Sequence, residues 1–460
     1  MKTNKVIEKI IQNWRGFPNI GILGKYEFLS QTVCANSLEI KHLEDLIKDP
    51  SDIQLKRKIF GVIIHEITHW LDHTSTLWGQ KFLIDIFNAF NAKSNENIDE
   101  LWRIQHLFSD INRMYFADYY TVNGSAAEEP WNKEPWRYDF GCGLQFSREG
   151  KTSEKHPFFY TIFSTSNDEF ITRVPLSVMS LLETNAVTSE VRLETVLLSC
   201  LNQGEVFIEN KLIEQNFLER LYTPELTRYS VAAHCLANLA KITDAVDAYF
   251  LSSALSTLCL NLPSKVFPLL KIPSALQERI GDRAREMLNL QDRGFAFFII
   301  ANYASQYNQS DIVSWLESTI EAAGLPPLKQ LEELANQEMN ELNEQILKDP
   351  LIEKLKEIGL SETGENQIIC EYSRLKNLLR VGRDNFTKRG IAGNHEISMK
   401  TIFSVNENYL KLPPILLGDD SVIQLGDEAL EPEYQDVKKW IEYVDIIEER
   451  LREFHQACFI

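Results

Sequence analysis

From Ser177 to about Ile346 the chain reads as helix with few interruptions, and no other feature limits its fold as strongly. The breaks fall at Asn202-Gln203-Gly204, Tyr222-Thr223-Pro224, Pro263 to Pro273 and Gly324-Leu325-Pro326-Pro327, where Gly and Pro punctuate the pattern. Their spacing suggests packed helix pairs, without the fixed signature of a repeat protein. Further helices are expected over Ile53–Thr74, behind the start signal Asp49-Pro50-Ser51-Asp52, and roughly over Ile98–Tyr120. Strand character is confined to Gln31–Ile40, weakened by Asn36 and Ser37, and to the aromatic and β-branched runs Phe158–Phe163 and Phe170–Val174. The expected class is α+β, mostly α, with a small sheet. Residues 121–157 read as a long irregular insertion, because they hold Asn123-Gly124, two Glu-Pro-Trp copies and Gly141-Cys142-Gly143.

The 460 residues are enough for two or three domains, each with its own core. An excess of 66 acidic over 47 basic residues gives a net charge of −19, which disfavours general binding to nucleic acid or anionic lipid. No run of about eighteen apolar residues is present, so a membrane-spanning helix is not expected. Lys2, Lys5 and Lys9 among Val6, Ile7, Ile10 and Ile11 give the N-terminus helical periodicity rather than a secretory core. Seven cysteines, odd in number and never as Cys-x-x-Cys, fit reduced thiols; a cytoplasmic protein is expected.

Chemistry concentrates in His65-Glu66-Ile67-Thr68-His69. Positions four apart share one helix face, so His65 and His69 can offer two imidazole nitrogens to one tetrahedral zinc ion. Glu66 lies too far round the helix to share the metal comfortably, but is placed to activate a water molecule and take its proton. The flanking Val62, Ile63, Ile64, Trp70 and Leu71 are uncharged, as expected of a helix buried beneath a cleft. A third ligand is required. His73 continues the series, yet in a straight helix it stands about 12 Å from His65 along the axis, too far to share one ion. It is expected at the surface or behind a ligand. Glu128 and Glu129 lie in the insertion, whereas Glu183 lies in a helical segment free of Gly and Pro and is the better candidate.

His-Glu-x-x-His on one helix, followed by Glu183-x-x-Ala186-x-x-x-Glu190 on a later one, resembles the gluzincin metallopeptidases. The resemblance implies a zincin-like catalytic domain with Glu183 as third zinc ligand. It also implies Ala186 as the small residue that lets the two helices approach, and Glu190 as a supporting carboxylate. Thr184 stands where the aminopeptidase branch usually has Gly, and that branch's Gly-x-Met-Glu-Asn signature is absent, so the resemblance is distant from that branch.

On this reading residues 1–260 are the catalytic domain, 261–348 a helical domain, and 349–460 a C-terminal α/β or helical region without recognisable chemistry. Tyr229 and His234 are the nearest candidates to stabilise an oxyanion. Asp110 and Asp118 are candidates to orient a ligand histidine. Asn394-His395-Glu396 and Cys142 carry no expected role, and the cluster from Arg374 to Arg389, broken by Asp384, suits a solvated surface. The expected activity is zinc-dependent hydrolysis of a peptide or protein, with the strand before the zinc helix adding substrate to the sheet edge. The alternatives are a non-catalytic zinc-containing helical interaction protein and a zinc hydrolase of a non-peptide amide.

Overall fold

The computed structural model describes residues 23–94, 102–124, 135–146, 150–307, 311–347, 367–393, 410 and 412–425. In chain order the strands are β1 (Lys25–Glu27), β2 (Thr32–Ala35), β3 (Val122–Asn123), β4 (Arg137–Phe146), β5 (Thr152–Ser164), β6 (Phe170–Pro175), β7 (Pro414–Leu417) and β8 (Val422–Gln424). The first helices are α1 (Ile40–Lys48), α2 (Ile53–Ser75), α3 (Leu77–Ser94) and α4 (Trp102–Tyr115). Then come α5 (Val178–Leu198), α6 (Gln203–Leu221), α7 (Thr227–Ala240) and α8 (Ala245–Asn261). Three shorter helices follow, α9 (Ser274–Ile280), α10 (Arg283–Asn289) and α11 (Arg293–Ala301), and then α12 (Ile312–Ala322), α13 (Leu328–Leu347) and α14 (Gln367–Arg389). The architecture is α+β and mostly α, with two small sheets. Among the described residues no helix is long and apolar enough to cross a membrane.

Two compact units divide the chain: residues 1–112, 335–390 and 396–460 form one, and 113–334 with 391–395 the other. The expected boundary at 260 therefore falls inside α8 of the second unit. The break at Pro263 to Pro273 contains a 3₁₀ helix, Ser264–Leu269, with Val266 and Phe267 buried.

In the first unit, the sheet order is β1-β2-β7-β8. β1 and β2 are antiparallel, and β2 runs parallel to β7 with Val33 opposite Ile415. The expected strand Gln31–Ile40 shrinks to Thr32–Ala35, and Ile40 already opens α1. Nor is β2 an edge: it lies between β1 and β7, and among the described residues β1 is outermost. Asp52 caps α2 by accepting the Leu55 amide, and from Ile63 onward every residue of the helix is buried. Near its end the Thr74, Ser75 and Thr76 hydroxyls donate to the carbonyls of Trp70, Leu71 and Asp72. Arg389 of α14 bonds Ser75 Oγ at 2.7 Å and the fully buried Asp72 carboxylate at 2.6 Å. Gly382 brings α14 against α2: a Cβ there would lie 2.0 Å from the Thr74 carbonyl oxygen. The expected helix to Tyr120 stops at Tyr115, because Phe116 takes a left-handed φ of 51° and a 3₁₀ turn follows at Asp118–Tyr120.

The second unit holds an antiparallel sheet of order β3-β6-β5-β4. The segment expected to be an irregular insertion supplies β3, β4 and the start of β5. β4 and β5 form a long hairpin in which Gly141 faces Tyr160 and Gly143 faces Phe158. An added Cβ at either glycine would strike the opposing ring, at 2.5 Å and 2.4 Å. The Gly-Cys-Gly stretch is thus a strand whose missing side chains are replaced by aromatic rings from across the sheet. α5 starts with a capping box between Ser177 and Ser180 and packs against α7 and α8.

Candidate metal centre

α2 places His65, Glu66 and His69 within one buried turn. Their rings stand 4.9 Å apart at 82°, and the two Nε2 atoms converge to 3.2 Å. Two nitrogens held tetrahedrally 2.0–2.1 Å from one zinc ion are about 3.3 Å apart, so this pair has the bite that zinc requires. Burial matters too, since a cation here would meet little competing water. Gly24, the residue before β1, adjoins Glu66: a Cβ on it would lie 3.0 Å from Glu66 Oε1 and 2.6 Å from Val62 Cγ1. Only a bare backbone can run this close to the carboxylate. Nothing in the local sequence marks Gly24, because the approach depends on a helix some forty residues later.

His73 is neither exposed nor placed behind a ligand. It is fully buried, with Nδ1 2.8 Å from the Tyr26 hydroxyl and its ring among Phe28, Trp78 and Phe82. Burial depresses its pKa to about 3, so the ring is neutral. It anchors β1 to α2, two turns along from Glu66.

Glu183 lies on α5 in the second unit, buried, with Ala186 fully buried one turn further along. Glu190, expected to support it, pairs with Arg220 of α6 at 3.0 Å. Tyr229 of α7 is buried, and its carbonyl accepts the Tyr249 hydroxyl at 3.1 Å. Burial raises the Tyr249 phenol pKa, and the charges of Glu190 and Glu183 add to the effect. His234, also on α7, stacks on Trp136 at 4.8 Å and 7°, contacts Phe163 and Tyr222, and has Nε2 3.0 Å from the Leu221 carbonyl. Burial lowers its pKa to about 4. Its neutral ring packs among Trp136, Phe163 and Tyr222.

Asp110 and Asp118 are engaged elsewhere: Asp110 lies 3.1 Å from His106 and Asp118 3.4 Å from Arg228. Cys142, half-buried in β4, has its thiol pKa pushed up to about 11 by desolvation, which suits no nucleophile. Cys34, Cys142, Cys200, Cys235 and Cys259 are free thiols. Glu128, Glu129 and Asn394-His395-Glu396 lie outside the described residues. No family model matches the chain, no curated protein is similar to it, and no solved structure matches it.

Proposed function

We propose that the chain is a zinc-dependent metallopeptidase of gluzincin type, with His65, His69 and Glu183 as zinc ligands and Glu66 as the proton-transferring carboxylate. The 3.2 Å convergence of two buried imidazole nitrogens, with Glu66 on the same turn, is the observation that carries this reading. Support for Glu183 is its place at the head of Glu183-x-x-Ala186-x-x-x-Glu190 on α5, where its side chain is buried. Bound there, zinc would supply Lewis acidity toward the carbonyl under attack. Glu66 would take a proton from the attacking water and deliver it to the leaving amine. A peptide is favoured as substrate because, among the described residues, β1 stands at the edge of its sheet, and Gly24, just before it, lies beside Glu66.

Metal analysis of the purified protein and a peptide-library assay test the reading. Zinc is expected at the histidine pair, and Glu66→Gln is expected to retain the metal while hydrolysis falls by at least about a hundredfold. Full activity in that variant would sink the mechanism, and a protein that takes up no zinc would sink the site. A second reading, a non-catalytic zinc-containing interaction protein, is favoured by one observation. Phe207 and Ile208 on α6 are 63% and 61% exposed, an apolar surface of the kind partners use. Zinc binding with no turnover of any peptide selects it, and turnover of non-peptide amides alone selects an amide hydrolase.

A further inference from the structure

We propose a second site, for a divalent transition-metal ion, formed by Asp85 on α3 with His106 and Asp110 on α4. His106 and Asp110 are four apart on one helix and project from the same face. His106 Nδ1 lies 3.1 Å from Asp110 Oδ2, and Asp85 brings a second carboxylate from the neighbouring helix. One ligand atom from each residue lies within 4.8 Å of the other two.

The charge balance points the same way. Two carboxylates face one imidazole, and a proton on His106 can compensate only one of them. Lys81, one turn before Asp85 on α3, pairs with Glu338 at 2.6 Å and also acts on the Asp85 carboxylate. A bound dication would offset both carboxylates at once. The donor set selects among ions. An imidazole with two carboxylates suits the Mn²⁺ to Zn²⁺ series, whereas Ca²⁺ and Mg²⁺ prefer oxygen alone. Three protein donors leave positions for water.

The site is independent of the histidine pair of α2, and separate variants remove each. The test takes the full chain, stripped of metal, titrates it with Zn²⁺ and with Mn²⁺, and counts bound equivalents by elemental analysis and by electron paramagnetic resonance. Wild type is expected to hold two equivalents of zinc. Asp85→Asn and His106→Ala, checked for unchanged circular dichroism, should each lose one equivalent, and so should the double variant His65→Ala/His69→Ala. Combining both sets should abolish binding. If Asp85→Asn and His106→Ala both keep the wild-type count, the three side chains merely share protons and the proposal is overturned, while the count at the histidine pair stands unaffected. If only the His65→Ala/His69→Ala variant keeps the wild-type count, the second site stands and the proposed zinc peptidase falls.

Discussion

Gly61 and Gly382 both sit inside helices, yet alanine at the two positions is expected to act in opposite directions. Replacing a helix-interior glycine by alanine gains about 1 kcal/mol from the restricted unfolded chain alone. At Gly61, in α2, an added Cβ meets nothing within 4 Å, so Gly61→Ala should show that whole gain. At Gly382, in α14, the Cβ would lie 2.0 Å from the Thr74 carbonyl oxygen and 3.0 Å from Gln80 Nε2. A side-chain neighbour could rotate away, but a backbone carbonyl cannot, so α14 has to draw back from α2 by about 1 Å. Overpacking of this kind costs about 1–3 kcal/mol, enough to outweigh the propensity gain. At about 2–4 °C per kcal/mol for a domain of this size, Gly61→Ala should raise the melting temperature by that amount. Gly382→Ala should lower it by a few degrees. Scanning calorimetry of both variants beside wild type in one buffer measures the pair. A Gly382→Ala protein melting at or above wild type would refute the close approach of α14 to α2 on which the argument rests.

Removing Arg389 breaks its ion pair with the fully buried Asp72, so Arg389→Met should destabilise by about 3–5 kcal/mol, and adding Asp72→Asn should recover much of that. Urea unfolding of the two single variants and the double variant reads the coupling, and strictly additive losses would contradict it. His73 makes a pH prediction whose sign follows from its depressed pKa. Between pH 6.5 and about 3 the unfolded chain binds the extra proton, so stability is complete above that window and falls by a few kcal/mol as the pH drops through it. His73→Phe gives up the Tyr26 hydrogen bond but should flatten the acid limb. Equal urea-midpoint losses between pH 7 and pH 4.5 in variant and wild type would remove His73 as its source.

What the sequence made legible is local. The helix from Ile53 and the i, i+4 histidines need only one turn's spacing to be read, and α2 runs Ile53–Ser75. Phe158–Phe163 and Phe170–Val174 likewise lie within β5 and β6, because their own side chains carry the strand preference. What stayed hidden is set by partners far along the chain. β4 holds glycines that read as loop, and only the Tyr160 and Phe158 rings opposite make them a strand. His73 looked like a polar residue to be kept wet, until Tyr26 and three further aromatic rings enclosed it. Asp110 was weighed against the histidines of α2, while its partner His106 lay one turn away on its own helix.

The parallel pairing of β2 with β7 has a consequence in time. The Ile40 amide waits for the Asp419 carboxylate, 379 residues downstream. At roughly 5–20 residues per second that is about 20 to 75 s of synthesis. Meanwhile residues 113–334, nearly the whole second unit, leave the ribosome and can pack. The helix with the histidine pair emerges early but lacks α14 and the parallel strand of its sheet until late. During that interval the four buried residues of β2 have β1 on one side and an open ladder on the other, the stage at which a nascent chain most needs a holdase.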